Sequence, residues 1–229
     1  LTAGNIPAKT RYVNSLFYAG DYDEVIKNVE EILKVDDSRA YMNRLAGYSC
    51  FEKENPDYEK ALAYMEKLFA TVKPEFILQK DYHYMARILL KKNQNYTKMI
   101  DELNNLKPQL EREKSRLNVA PAAEKPKYKA SVDELTSKIA NLESEISKAS
   151  KEIDRGFAEY HKALEFDRKD SGSSTYSSKE RALLSEIAAN YYAYRRYDNA
   201  AKTWAMLIDP DKENNLADYM QVGRAYYNG

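Results

Sequence analysis

Cysteine, glycine, proline, histidine and net charge are all scarce in this chain of 229 residues. Cys50 stands alone, so no intramolecular disulfide framework can form, and neither an oxidising nor a reducing compartment is demanded. Only 7 Gly and 7 Pro are present, which argues against a β protein rich in hairpins, whose tight turns consume both residues. The glycines are isolated, at 4, 20, 47, 156, 172, 223 and 229, so there is no phosphate-cradling loop. Lys plus Arg and Asp plus Glu balance at 36 each, leaving no whole-chain field to gather nucleic acid or an anionic membrane surface. No run approaches the roughly 18 apolar residues that would cross a bilayer. Leu1 to Lys9 also lacks the charged-then-apolar layout of a signal peptide. His83 and His161 lie 78 residues apart, without the tight spacing of a metal site, so both read as structural histidines and no metal or cofactor is expected. The chain opens on Leu1 rather than Met and reads as a soluble excised or processed piece, with bacterial periplasm or envelope and cytoplasm both open.

What the chain does have is repetition. AGDYDEV at 19–25 returns as NPDYEKA at 55–61, NQNYTKM at 93–99 and YRRYDNA at 194–200. Each copy is a turn, a Tyr, a polar pair and a small or apolar residue that opens an apolar helix pattern. Self-similarity at this period points to a stacked helical array, because one helical hairpin cannot bury its apolar face alone. With 31% charged and 43% hydrophobic residues, the expected class is all-α.

The helix signals fall between these phrases. Asn5 followed by Ile6-Pro7 predicts a helix start, and Gly20 its end. From Tyr22 to about Val35, the residues Val25, Ile26, Val29, Ile32 and Leu33 form one stripe. A second hairpin follows the Asp36-Asp37-Ser38 cluster, turns at Asn55-Pro56 and ends at Pro74. A third opens with a helix over about 78–92, and a fourth, after a Ser-rich loop at 168–178, turns at Arg195-Arg196-Tyr197 and stops before Pro210. A last helix is expected over about Asn215 to Tyr227.

Inside the third hairpin, after about Met99 and before about Gly156, the rhythm breaks. Met99, Leu103, Leu106, Leu110 and Leu117 are spaced 4, 3, 4 and 7. After a Pro, Ala and Lys stretch at 118–129, Val132, Leu135, Ile139, Leu142, Ile146, Ala149, Ile153, Gly156, Tyr160 and Ala163 alternate by 3 and 4 without a slip. This pattern predicts an antiparallel coiled-coil hairpin inserted in the array and offers a surface for self-association. The expected domains are residues 1–97, 98–155 and 156–229, the middle one being the insertion. Pro108 either kinks the outgoing arm or ends a complete third hairpin.

The paired helices, the small residues Ala46, Ala61, Ala86, Ala163, Ala188, Ala200 and Gly223, and the turn aromatics Tyr22, Tyr58, Tyr96 and Tyr197 together resemble the tetratricopeptide repeat family. Its members pair two antiparallel helices in about 34 residues. Here Val25 to Ala61 spans 36 and Ala61 to Met99 spans 38. The resemblance implies a right-handed α-α superhelix whose first helices line a concave face that holds a protein or peptide, with no enzymatic activity. Some members grip a C-terminal carboxylate with Lys and Asn on the first helix, Asn on the next and Lys and Arg on the third. Asn14, Asn43 and Lys80 fall in matching slots, while Thr10 replaces the first Lys and Tyr84 the Arg. A full clamp is therefore not expected, and Asn14, Asn43, Lys80 and Tyr84 are the candidate groove residues for an extended peptide. Two rival readings stand beside this one: a structural segment of a larger envelope or assembly protein, and a helical-repeat nucleic-acid binder, which the balanced charge disfavours.

Overall fold

A computed structural model describes residues 5–166, 168, 175–208 and 216–229. Among these residues the fold is all-helical, with no strand. The helices are α1 (Ile6–Ala19), α2 (Tyr22–Val35), α3 (Asn43–Glu52), α4 (Tyr58–Thr71), α5 (Gln79–Lys92), α6 (Tyr96–Val119), α7 (Lys125–Glu165), α8 (Ser178–Ala193), α9 (Tyr197–Ala205) and α10 (Leu216–Asn228). Short 3-10 turns at Asp37–Met42 and Pro74–Phe76 precede α3 and α5. Much of the Ser-rich loop at 168–178, together with Pro210 and Asn215, lies outside the described residues.

Local chemistry explains the boundaries. Asn5 accepts a hydrogen bond from the Ala8 amide at the start of α1, and Gly20, at φ 81°, closes that helix in the left-handed conformation. Asp57 caps α4 by accepting from the Lys60 amide. Ser177 and Glu180 form a reciprocal capping box at α8. Pro108 ends nothing: α6 runs through it. The proline cannot donate to the carbonyl four residues back, and next to it the Gln109 side chain donates to the Asn105 carbonyl at 3.1 Å.

The chain divides into two compact units. One comprises Leu1–Lys92 with Arg155–Tyr176. In it, each of α1 to α5 packs against the next, and the alternate helices α1 and α3, then α3 and α5, also touch. Its core is a continuous apolar cluster in which Val13, Val25, Val29, Ile32, Ala46, Ala61, Met65, Leu68, Ile88 and Leu89 have no exposed surface. The end of α7 belongs here too. Tyr160 is buried with its ring 5.7 Å from that of His83, and the Arg155 guanidinium meets the Glu66 carboxylate at 2.7 Å. The other unit comprises Asn93–Asp154 with Ser177–Gly229. Leu106 is buried with Ile139 and Leu142, and Met99, Leu103, Leu110, Leu135 and Ile146 pack around them. Lys107 pairs with Glu143 at 2.9 Å, Lys138 with Glu102 at 2.8 Å, and the Asn93 amide donates to Glu152 at 2.8 Å. Asn93, before α6, meets Glu152 late in α7, whereas Leu106, further along α6, is buried with Ile139 and Leu142 earlier in α7, as helices running in opposite directions would pair. In the α8–α9 turn, Arg195 holds a left-handed φ of 58° while its guanidinium makes a bidentate pair with Asp101 at 2.7 and 2.8 Å.

Two helical glycines, Gly156 of the alternating 3-and-4 pattern and Gly223 of the small-residue set, have opposite surroundings. A methyl group added to Gly156 would meet Leu90 Cδ2 at 3.2 Å, Leu89 Cβ at 3.3 Å and the Ala86 carbonyl oxygen at 3.4 Å, whereas one added to Gly223 would meet nothing within 4 Å among the described residues. Ala is better than Gly in a helix by about 1 kcal/mol, and overpacking costs roughly 1–3 kcal/mol. Gly223→Ala is expected to raise stability by up to about 1 kcal/mol. Gly156→Ala should lower it by about 1 kcal/mol despite the gain in propensity. Urea denaturation of the two variants checks the contrast in sign.

Candidate functional site

The alternate helices α1, α3 and α5 present aromatic rings to one another. Phe17 on α1 lies 6.2 Å from Tyr48 on α3, and Tyr48 stacks on Tyr84 of α5 with ring centroids 3.7 Å apart and planes at 15°. Phe51 meets Tyr84 edge-on at 5.7 Å. The phenols end on carboxylates: Tyr48 donates to Asp81 at 2.7 Å and Tyr84 to Glu52 at 2.6 Å. Burial, reinforced by the neighbouring carboxylate, pushes both hydroxyls far above the usual tyrosine range.

Asp81 has no exposed surface, and its two oxygens accept four hydrogen bonds: from Arg44 Nε at 2.6 Å, Arg44 Nη2 at 2.8 Å, the Tyr48 hydroxyl at 2.7 Å and the Leu78 amide at 2.7 Å. The last contact is half of a capping box, since Asp81 is the third residue of α5 and Leu78 the residue before it. Arg44 also donates to the Phe76 carbonyl at 2.7 Å. Thus one carboxylate ties α3 to the loop that opens α5.

Three cations surround this face. Lys80 is exposed, with Nζ 5.5 Å from the Tyr48 ring and 5.6 Å from the Tyr84 ring, and it makes no ion pair among the described residues. Arg87 lies 4.6 Å from the Phe51 ring and 3.5 Å from Glu52, and Arg44 is bound to Asp81. Both nearby carboxylates are therefore already engaged, and Lys80 carries the uncompensated charge.

Of the four candidate groove residues, Lys80 and Tyr84 come together over the Tyr48 stack. Asn14 is exposed on α1, where its amide donates to the Thr10 carbonyl at 3.0 Å. Asn43 is only 5% exposed, not the open groove position its slot implies. Its Nδ2 donates to the Ala40 carbonyl at 2.8 Å, and its Oδ1 is buried without a partner among the described residues. Asn43 lines a cavity of about 410 Å³ shared with Glu30, Lys34, Tyr64 and Lys67 of α2 and α4. There Tyr64 donates to Glu30 at 2.6 Å, and this bond together with Lys60 holds the Glu30 carboxyl below the ordinary range. A second cavity, of about 540 Å³, opens beside Arg44 and is edged by the exposed Tyr41, Phe76 and Leu78.

The Arg44–Asp81 pair is the residue-level feature that repeat spacing does not reveal. Its partners are 37 positions apart, and the signal available was an Asp three residues after a loop apolar residue, the pattern of a helix start. Cys50 has no exposed surface, and burial pushes its thiol up to about 11, so it offers no thiolate at neutral pH. Among the described residues, no three His, Cys, Asp or Glu side chains come together as a metal would require.

Two predictions come from this network. Asp81→Asn keeps the shape but turns an amide toward donors and leaves Arg44 without its partner. Because Arg44 retains 17% side-chain exposure and can recover some water, the expected loss is roughly 2–3 kcal/mol, read by chemical denaturation. The second concerns alkali. Tyr48, Tyr64, Tyr84, Tyr191 and Tyr194 all have folded values raised above 10.0, that of Tyr194 to about 12. Each holds its proton in the fold after the unfolded chain would release it, so their contribution is complete below about pH 10 and is lost as pH rises beyond it. The last phenolate absorbance to appear, that of these five tyrosines, should therefore coincide with the loss of helical circular dichroism; tyrosine ionisation completed before any helix is lost would contradict this.

The chain matches no protein-family model and no curated protein.

Proposed function

We propose that this chain is a non-enzymatic scaffold of the tetratricopeptide type, a right-handed superhelical array whose first-helix face on α1, α3 and α5 holds an extended peptide or protein segment. The packing of each helix on the next, with contacts between alternate helices, supports that reading. So do the antiparallel α6 and α7, read as an inserted coiled-coil hairpin and a second contact surface. The observation that carries the function is Lys80, an exposed cation over a Tyr48–Tyr84 stack whose neighbouring carboxylates are already bonded. Such a face selects an acidic side chain or a free C-terminal carboxylate, and the stacked rings give it a rigid floor. Tyr84 stands where a full carboxylate clamp would place an Arg, so affinity in the micromolar range is expected.

Isothermal titration with an acidic peptide that bears a free C-terminal carboxylate tests this. Lys80→Gln should weaken binding by about ten-fold or more, the worth of one charge-assisted hydrogen bond, with little change in melting because the side chain is exposed. Equal affinity for the variant, or for a peptide with no acidic group, would remove the basis of the proposal.

A further inference from the structure

Helices α8, α9 and α10 line a third cavity, apart from the face on α1, α3 and α5. Ala189 and Tyr192 of α8, Trp204 of α9, and Gln221 and Arg224 of α10 line a space of about 240 Å³. Its walls are aromatic: the Tyr192 and Trp204 rings lie 5.8 Å apart at 51°. Trp204 is 8% exposed, and its Nε1 is buried with no hydrogen-bond partner among the described residues. A buried indole N–H normally finds an acceptor, and one left without it forfeits the free energy of its lost hydration. That nitrogen has no surface open to water, so the donors that reach the cavity are those of Tyr192, Gln221 and Arg224. Arg224 is exposed and forms no ion pair among the described residues. Tyr192 accepts at its hydroxyl from Asn228 Nδ2 at 3.1 Å, so its own proton remains to give. Apart from the Gln221 amide oxygen and the Tyr192 hydroxyl, which can also accept, the described side chains that line the cavity offer donors and no carboxylate.

We infer that this cavity is a binding site for a carboxylate carried on an apolar or aromatic body. Donors in excess call for an acceptor-rich group, and the free guanidinium makes that group an anion. Tyr192, Trp204 and Ala189 call for an apolar body behind it. The volume falls below the roughly 300–1,000 Å³ of sites for drug-sized ligands, so the occupant is the size of a single side chain or a small aromatic acid. Gln221 and Arg224 are exposed on α10 at the rim, and the carboxylate enters by displacing these long side chains. The same chemistry comes from two sources, a free aromatic acid or a peptide ending in an aromatic residue.

Trp204 is the only tryptophan of the chain, so its fluorescence reports on the site directly. Phenylacetate, its neutral counterpart phenylacetamide, inorganic phosphate, and a short peptide ending in Phe with a free or amidated terminus are the probes. Phenylacetate or the free-ended peptide should change the emission saturably, and the tighter of the two identifies the source. Phenylacetamide, the amidated peptide and phosphate should each bind at least ten-fold more weakly. Arg224→Gln should weaken the acid at least ten-fold while leaving the thermal midpoint unchanged. Absence of saturation with both acids, equal binding of acid and amide, phosphate binding as tightly as phenylacetate, or an Arg224→Gln variant with undiminished affinity would each overturn the assignment.

Discussion

A carboxylate with no contact with water, Asp81, is the constraint on which the candidate face depends. A buried charge of this kind is tolerated only when its lone pairs are filled, and here four hydrogen bonds from Arg44, Tyr48 and Leu78 fill them. Those donors come from α3 and from the residue before α5, so the need to satisfy one side chain sets where α5 begins and how it meets α3. The Tyr48 hydroxyl is held at one end by this carboxylate, and its ring can then stack on Tyr84 at 3.7 Å. Lys80, one residue before Asp81, is thereby placed above the stack. A hydrophobic substitute at position 81 could fill the volume, but it would specify neither the register of α5 nor the orientation of the ring.

The chain is neutral as a whole, and its charges act locally. Many of its ion pairs are solvent-exposed and contribute little individually, as with Lys27 and Glu24 or Lys114 and Glu111. Geometry distinguishes a few. Arg195 combines a left-handed backbone with a bidentate grip on Asp101, which also draws the Asp101 carboxyl below its ordinary range. Arg196, the next residue, reaches Asp154 at 3.0 Å and Ser150 at 3.1 Å. The turn position that Gly20 holds in the first copy of the repeated phrase is here the first of two arginines, each bonded to a helix of its own unit.

Periodicity made several helix boundaries legible to within a residue or so: α1 from Asn5 to Gly20, α2 from Tyr22 to Val35, and α6 from Tyr96, whereas α3 starts at Asn43, after a 3-10 turn, and not directly after the Asp36-Asp37-Ser38 cluster. Those boundaries rest on local signals, caps and apolar spacing, that act over a few residues. The heptad positions Leu106, Ile139 and Leu142 were equally visible, because a seam at regular spacing leaves few ways to pack. The site was less legible. Helical spacing placed Tyr48 and Tyr84 on first helices, but nothing in it distinguishes a tyrosine whose ring is exposed from one buried with its hydroxyl on a carboxylate. Tyr12, at 41% exposure, and Tyr48, at 3%, occupy comparable sequence settings. Asn43 illustrates the same limit, since an α3 enclosed by α2, α4 and α5 has little open face left at its start. Long-range pairs such as Arg44 with Asp81 are decided by tertiary packing, and no local rule encodes them.

The enclosure of α3 has a consequence for the redox life of the molecule. Cys50 sits on that helix with no accessible surface, and its thiol, raised to about 11, is almost wholly protonated near neutrality. Disulfide exchange needs a thiolate and a route for the attacking sulfur, and the folded chain supplies neither. The protein can therefore pass between reducing and oxidising surroundings without acquiring a mixed disulfide or a covalent dimer through this residue. Its only sulfhydryl group becomes chemically visible when α3 loses its neighbours, so oxidation at Cys50 would mark molecules that have opened.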